Sequence, residues 1–160
     1  MKSNPFEITL SGTHALEVPE SIAGPFIKEG HTRVKVIASF EGKTITFYGA
    51  LQRRNGLYYM IFGKKNQKAL GVYHNDYFEL QLFEDTSRYG VEMPEELEAV
   101  LLSDNEASHI FESFTDGKKR GIIYMVLGFR KSQTRIDKSL LICENLKRGI
   151  RNNPELLKSF

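Results

Sequence analysis

The chain has 160 residues, enough for one domain or a small two-part protein, and 41% of them are hydrophobic, so a core can form. Charged residues make up 26%, and the net charge of +2 is too small to imply a nucleic-acid partner by itself. The single cysteine excludes an intramolecular disulfide and fits a reducing compartment.

The first half of the chain alternates between apolar and polar residues, the pattern of strands that bury one face. It predicts strands over 6–10, 33–40, 44–51 and 77–84. A further stretch, 57–62, is apolar on both faces, which predicts a strand that lies centrally. Several antiparallel strands with one apolar face each favour a small β-barrel over residues 1–86, because closure removes exposed edges.

Turn signals separate these strands. Glu41-Gly42 and Asn55-Gly56 predict tight hairpins, since glycine and asparagine tolerate positive φ. Residues 20–27 follow a proline and predict a short irregular or helical piece.

The period becomes helical after Asp85, so the predicted fold class is α+β, with a helical region over residues 87–160. A helix start is expected at 93–96, where a proline is followed by acids. Three more helices are predicted over 104–114, 118–129 and 132–148. Asp104 is the candidate N-cap of the first of these three.

The last two predicted helices differ in character. Asp116-Gly117 should break the chain before 118–129, whose nearly all-apolar composition predicts burial. The final helix should end at Gly149 as its C-terminal cap. Its predicted apolar stripe consists of Ile136, Leu140, Cys143, Leu146 and Ile150.

Charge is distributed unevenly in the helical half. Residues 84–116 hold ten acids and one base, a net charge of −9. Residues 117–151 hold ten bases and two acids, a net charge of +8. One interpretation is mutual neutralisation between neighbouring helices. The other is a basic surface that binds an anion, with Lys131, Arg135 and Lys138 on one exposed helix face.

The barrel half resembles a domain-of-unknown-function family of small barrels. The resemblance is carried by 31-HTRVKVIASFEGKTITF-47 and by 69-ALGVYHNDYFELQLFED-85, in which Asn75-Asp76 replaces the more usual Gly-Asp. It implies a double-split β-barrel similar in shape to the AbrB/MazE type of transcription factor.

The helical half resembles the YdeI or OmpD-associated family, also called bacteriocin-protection proteins. The matching segments are 95-EELEAVLLSD-104, 111-FESF-114, 118-KKRGIIYMVLGFRK-131 and 134-TRIDKSLL-141. Phe129-Arg130 and Asp137 depart from the family pattern. The resemblance implies bacteriocin protection without an agreed mechanism. The candidate anion or partner site consists of Lys119, Arg120, Lys131, Thr134, Arg135 and Lys138.

The sequence contains no recognisable catalytic or metal-binding motif. The four histidines do not form HxH or HExxH, and there is no CxxC, so we expect no metal site. Cys143 lies on the predicted apolar stripe, which favours a buried structural thiol. The stretch 63-GKKNQKALG-71 lacks a phosphate-loop pattern and predicts a turn with a solvated basic edge. We therefore expect no catalytic residues and no cofactor, with an enzyme of unrecognised site as a remaining alternative.

The other alternative is weak nucleic-acid binding by the barrel half. Arg53, Arg54, Lys64 and Lys65 are the candidate phosphate contacts, and nearby tyrosines are candidates for base stacking. The favoured hypothesis remains a non-enzymatic binding or stress-protection protein with an anionic ligand or protein partner. No apolar run approaches the roughly 20 residues of a membrane span, and the N-terminus lacks a signal-like apolar region, so we expect a cytoplasmic protein.

Overall fold

The computed structural model describes residues 1–159, and the chain divides into two compact units. Unit 1 is Met1–Thr86 and carries all eight strands found in the described residues. Unit 2 begins at Ser87 and is helical. The predicted α+β class is therefore confirmed, with strands in the N-terminal half and helices in the C-terminal half.

Unit 1 consists of two four-stranded antiparallel sheets. The strands are β1 Phe6–Ile8, β2 Leu10–Ser11, β3 Ala15–Val18, β4 Arg33–Phe40, β5 Lys43–Ala50, β6 Gln52–Arg54, β7 Leu57–Ile61 and β8 Phe78–Glu84. The first sheet has the order β1-β8-β4-β5 and the second has the order β2-β3-β7-β6. Helices α1 Glu20–Lys28 and α2 Lys64–Leu70 complete the unit.

The hydrogen-bonded strands do not close into a single barrel within residues 1–159. The chain instead passes from the first sheet to the second at Thr9, between β1 and β2, and at Leu51, between β5 and β6. The predicted continuous strand over 6–10 is therefore broken. The inner faces of both sheets contribute to one apolar core, to which Leu16, Val36 and Leu80 belong.

The sheets approach closely at Gly49 on β5. A β-carbon built at this position would lie 2.6 Å from the Sδ of Met60 on β7. The small residue therefore leaves room for the methionine, which is almost fully buried.

The predicted hairpins form as expected, with positive φ at both residues of Glu41-Gly42 and of Asn55-Gly56. Strand β7 lies between β3 and β6, so its central position is confirmed. Although apolar on both faces, the strand is fully buried on one face alone, because Leu57 and Ile61 are 45% and 59% exposed whereas Tyr58 and Met60 are 6% and 1% exposed.

Two local predictions in unit 1 concern helices. The piece at 20–27 is helical and forms most of α1. The turn predicted over 63–71 is wrong, because residues 64–70 form α2, which ends at Gly71 in the left-handed conformation. The buried Gln67 secures this helix by donating through Nε2 to the carbonyl oxygens of Thr13 and Phe62, both at 2.8 Å.

Unit 2 contains helices α3 Glu95–Leu102, α4 Asn105–Glu112, α5 Asp116–Leu127 and α6 Ser132–Lys147, followed by a 3-10 turn, Pro154–Leu157. The predicted cap is confirmed, since the Asp104 carboxylate accepts from the Ala107 amide at 3.1 Å. The predicted break at Asp116-Gly117 is wrong, because Thr115 caps α5 by accepting from the Lys118 amide at 3.3 Å. Within residues 1–159, no helix combines the length and the apolar character needed to cross a membrane.

Helix α6 is rotated relative to the predicted apolar stripe. Leu140 is 50% exposed, whereas Ser139 and Asn145 are almost fully buried. Asn145 donates through Nδ2 to the carbonyls of Leu156 and Lys158, at 2.9 and 3.0 Å, and so binds the C-terminal segment. The polar residue is thus buried because it satisfies backbone groups that would otherwise be unpaired.

Helix α5 is buried on one side rather than all round, since Tyr124 is 49% exposed. The end of α6 agrees with the prediction. Gly149 has φ of +90°, and the following Ile150 amide donates to the Asn145 carbonyl at 3.0 Å.

Candidate functional site

The residues of the predicted basic face have different roles in the structure. Arg135 donates from Nε to the Phe129 carbonyl at 2.7 Å and from Nη2 to the Leu127 carbonyl at 3.3 Å. These carbonyls lie at and just after the end of α5, where helical carbonyls lack partners. The Arg135 side chain is 25% exposed, so the prediction that it forms part of an exposed face is wrong.

Arg135 also faces a buried carboxylate. Its Nη1 lies 3.8 Å from Oε1 of Glu96, whose side chain is 8% exposed. The backbone amide of Glu96 itself, a hydrogen bond from Ser132 and the charge of Arg135 together lower the pKa of this carboxyl. Arg135 therefore connects the end of α5 to both α6 and α3, which is a structural role.

Three other residues of the predicted site are near the start of α6. Lys131 is exposed at the N-cap position, and its carbonyl accepts from the Arg135 amide at 3.0 Å. Lys138 is half-buried, with Nζ 5.8 Å from the centre of the Phe129 ring. Thr134 is half-buried. Lys131 has the greatest access to solvent among these three side chains.

Lys119 and Arg120 lie near the opposite end of α5. Between Lys119 and Leu127 the helix rises by about 12 Å, since each residue adds 1.5 Å. Arg120 donates from Nη1 to the Tyr89 carbonyl at 3.4 Å. The structure therefore does not bring these two residues to the group formed by Lys131, Thr134 and Lys138.

Lys119 belongs to a compact polar cluster with Tyr89 and Glu112. Its buried Nζ is 3.3 Å from Oε2 of Glu112 and 5.6 Å from the centre of the Tyr89 ring. The Tyr89 hydroxyl donates to Oε1 of Glu112 at 2.5 Å. Burial, followed by the hydrogen bond to Glu112, raises the pKa of Tyr89 to about 12. This tyrosine is therefore a donor that stays protonated at neutral pH.

The ion pairs of unit 2 follow the uneven charge distribution of the sequence. Three of them join the acidic stretch 84–116 to the basic stretch 117–151: Glu96–Arg135, Glu112–Lys119 and Asp104–Lys147, the last at 2.8 Å. The pKa of Asp104 is lowered, first by its hydrogen bond from Lys147. These pairs favour mutual neutralisation for the residues they involve.

Acid should destabilise unit 2 through Glu112. Burial opposes ionisation of this carboxyl, but hydrogen bonds from Tyr89 and Lys119 outweigh it, so its pKa lies below the ordinary 4.5. A carboxyl with a depressed folded pKa contributes stability above its unfolded pKa and loses it as the pH falls through the folded value. The free energy of unfolding should therefore decrease below about pH 4.5.

Urea unfolding at several pH values, with Glu112→Gln for comparison, checks this expectation. The variant should be less stable than the wild type at pH 7, and its stability should vary less with pH below about 4.5. Two parallel pH profiles would contradict the assignment to Glu112.

The candidate nucleic-acid residues lie on unit 1. Arg53 and Arg54 are exposed on the edge strand β6, and Lys64 and Lys65 are exposed at the start of α2. Tyr58 is only 6% exposed, with Arg53 stacked 5.6 Å from its ring centre, so it is not accessible to a base.

The Cys143 thiol is buried in the folded protein, away from solvent. It is a free thiol, 1% exposed, and burial raises its pKa to about 12. The predicted structural role of this residue is confirmed. Among the residues that the structure describes, no three His, Cys, Asp or Glu side chains are grouped so that they could hold a metal ion.

One groove was not anticipated from the sequence. It lies between α3 and α6, has a volume of about 420 Å³ and is lined by Glu95, Glu96, Ala99, Val100, Ser103, Ser132 and Ile136. The sequence analysis assigned Leu140 to the buried stripe of α6, but its side chain is exposed one helical turn after Ile136. An apolar residue at this position was the sequence signal for the groove.

The chain is similar to known proteins over part of its length. No curated protein matches the chain. The solution structure of PHS018 from Pyrococcus horikoshii is similar over 50% of this chain and 88% of that chain, with 21% identity and a TM-score of 0.39, a likeness too weak to carry an argument. Residues 90–149 match the family model described as "Bacteriocin-protection, YdeI or OmpD-Associated".

The family match spans all of α3 to α6 and includes Lys131, Thr134, Arg135 and Lys138. It begins at Gly90, so the resemblance inferred for the sheets of unit 1 stays a prediction. The match therefore supports the YdeI/OmpD-associated resemblance of the C-terminal segment.

Proposed function

We propose that this is a non-enzymatic binding protein that takes part in protection from bacteriocins through unit 2. The observation that carries the proposal is the family-model match over residues 90–149, which covers the four helices of that unit. The proposed location is the cytoplasm, which fits a single thiol kept reduced and buried. For unit 1, we retain the double-split barrel as the proposed relation of the two sheets, supported by the crossings at Thr9 and Leu51.

The arrangement of ionisable groups supports binding rather than catalysis. Lys119 and Tyr89 both pair with the Glu112 carboxylate, and Arg135 donates to backbone carbonyls. Such mutual pairing stabilises a fold but leaves few groups poised to transfer a proton. The Cys143 thiol is buried, and its raised pKa keeps it protonated at neutral pH.

The proposed contact to an anionic partner uses Lys131 and Lys138, with Thr134 beside them. These residues sit near the start of α6, and no ion pair to an acid is found for either lysine within residues 1–159. Their charge is therefore free to attract a partner, with an effect that salt screens.

A survival assay tests the proposal. Bacteria that produce the full chain should survive bacteriocin exposure better than bacteria without it, and Lys131→Glu with Lys138→Glu should remove most of the gain. Lys64→Glu with Lys65→Glu makes the same charge change on unit 1 and should keep the protection. Equal survival with and without the chain would contradict the proposed function.

Weak nucleic-acid binding by unit 1 is the second candidate, favoured by the exposure of Arg54, Lys64 and Lys65. Titration of a short DNA should show weak, sequence-independent binding that falls steeply as salt rises, because bound counterions are released. Lys64→Glu with Lys65→Glu should weaken it, whereas the Lys131 and Lys138 pair of substitutions should not. Absence of binding at low salt, or tight binding of one sequence, would remove this candidate.

A further inference from the structure

The groove of unit 2 lies between two helices that run side by side in the same direction. Glu96 and Arg135 approach each other near the N-terminal ends of α3 and α6. Lys147, the last residue of α6, contacts Asp104 just beyond α3. The groove follows α3 from Glu95 to Ser103, about 12 Å at 1.5 Å per residue.

The groove is apolar along its middle. Ala99 and Val100 line it from α3, and Ile136 lines it from α6. Leu140 and Leu102 continue this surface within one helical turn and are 50% and 76% exposed. Exposed leucines close to an apolar cleft are a feature of contact surfaces.

The charge around this apolar strip is negative. Glu95 is exposed at its N-terminal end and has no ion pair among the contacts of residues 1–159. Asp137 is exposed beside Ile136 and accepts from Gln133 at 3.0 Å, with no ion pair to a cation within residues 1–159. No lysine or arginine lines the groove in the part of the chain that the structure describes. Lys147, beyond the far end, is neutralised by Asp104 and Glu144.

A buried carboxylate, whose charge Arg135 offsets in part, also lines the groove. Glu96 lines the groove and is 8% exposed, yet its Oε1 has no hydrogen-bond partner. The nearest cation is Arg135 at 3.8 Å, beyond hydrogen-bonding distance. The carboxyl pKa is lowered, first by the backbone amide of Glu96 itself, so the group is charged at neutral pH.

We propose that the α3–α6 groove binds a basic amphipathic helical segment of a protein or peptide partner. The apolar side chains of the segment would contact Ala99, Val100, Ile136 and Leu140, and its lysines or arginines would face Glu95 and Asp137. This is the helix-in-groove mode, in which residues spaced by three and four positions act as anchors. The groove accommodates about two turns of such a helix, since one turn rises 5.4 Å.

This site is separate from the one proposed for an anionic partner. Ile136 lies about 160° around the α6 axis from Lys138 and about 140° from Lys131, at 100° per residue. The inference therefore does not depend on bacteriocin protection, and either can fail alone.

A peptide titration by fluorescence anisotropy tests the inference. The probe is a labelled 14-residue peptide of leucine and lysine with amphipathic helical spacing. The controls are the same composition with scrambled spacing and a version with glutamate in place of lysine. We expect micromolar binding of the first peptide, binding at least tenfold weaker of the scrambled one, and none of the acidic one. Equal affinity for the first two peptides would mean charge attraction alone and would overturn the proposal.

Variants at exposed positions locate the site without disturbing the core. Glu95→Lys with Ala99→Arg should weaken binding at least tenfold, whereas Glu29→Lys on unit 1 should leave it unchanged. If the double variant loses its fold, Leu140→Lys places a repelling cation at a half-exposed residue beside the groove and should also weaken binding at least tenfold. Unchanged binding by a folded groove variant would overturn the proposal.

Sedimentation tests whether a second copy of the chain occupies the groove instead of a basic segment. Dimers that disappear with Leu140→Glu would show that a second copy of the chain fills the groove, which would also overturn the proposal.

Discussion

Replacing Phe111 with alanine should lower the free energy of unfolding of unit 2 by about 3–5 kcal/mol, the usual cost of emptying a buried phenylalanine site. The Phe111 side chain is 1% exposed and belongs to the core formed by all four helices. Its ring meets Tyr89 edge-to-face, with centroids 5.7 Å apart. A helical unit of this size has a total stability of roughly 4–10 kcal/mol, so the variant should be close to unfolded.

Phe114→Ala provides the matched control within the same 111-FESF-114 segment. Phe114 is only partly buried and contacts the cations of Lys118 and Arg151, 5.1 and 5.7 Å from its ring centre. Its removal should cost less than half as much. Urea unfolding with hydrogen exchange of the unit 2 amides measures both effects. Equal losses in the two variants would contradict the assignment of Phe111 as the core residue of this pair.

Local patterns were enough to predict β4, β5, β7 and β8 and most helix ends of unit 2, but they did not indicate β3 or β6. The β4–β5 hairpin joins strands with a two-residue period through Glu41-Gly42, a turn whose geometry depends on those residues alone. The cap at Asp104 and the termination at Gly149 are likewise decided within about five residues of sequence. Interactions of short range leave a signature that can be read before the fold is known.

The arrangement of the strands depends on longer-range pairing and was only partly predicted. The same strands are compatible with one closed barrel or with two sheets, because alternation shows which face is buried but not which strand is the neighbour. Strand β8 pairs with both β1 and β4, although more than 60 residues separate it from β1. The chain crosses between the sheets at Thr9 and Leu51, and neither position is a glycine or proline that would have indicated a change of direction.

The buried face of α6 was misjudged for a related reason. A 16-residue helix with both leucines and charged residues offers several stripes of similar apolar character. The face that is buried includes Ser139 and Asn145, and Asn145 is placed there by the distant carbonyls of Leu156 and Lys158. A buried polar group whose partners lie elsewhere in the chain has no local signal.

The candidate site shows the same limit. The basic composition of the α5–α6 junction marked it as a candidate site, but the sequence could not distinguish a binding cation from a structural one. Lys119 is buried against Glu112, whereas Lys131 is exposed, and both look alike in a basic run. The groove between α3 and α6 escaped notice because helix neighbours cannot be assigned from their separate patterns.

Arg135→Ala should be the most damaging single substitution in the basic segment, with a loss of about 2–3 kcal/mol in the free energy of unfolding. Alanine removes the bonds to the carbonyls of Leu127 and Phe129. It also leaves Glu96 buried without its nearest cation, an arrangement that proteins avoid. The melting temperature of unit 2 should fall by roughly 10–20 °C, given its size.

Lys138→Ala is the matched control, because it removes a cation three residues further along the same helix. Lys138 contacts the Phe129 ring but makes no ion pair among the residues the structure describes, so its loss should cost under about 1 kcal/mol. Arg135→Lys sharpens the comparison. A lysine keeps the charge but lacks the planar fork that reaches two carbonyls at once, so it should recover less than half of the stability. Full recovery with lysine would mean that Arg135 acts through its charge on Glu96. Equal stability of the alanine variants at 135 and 138 would mean that the bonds to α5 contribute little, and Arg135 would then return to the set of residues available to a partner.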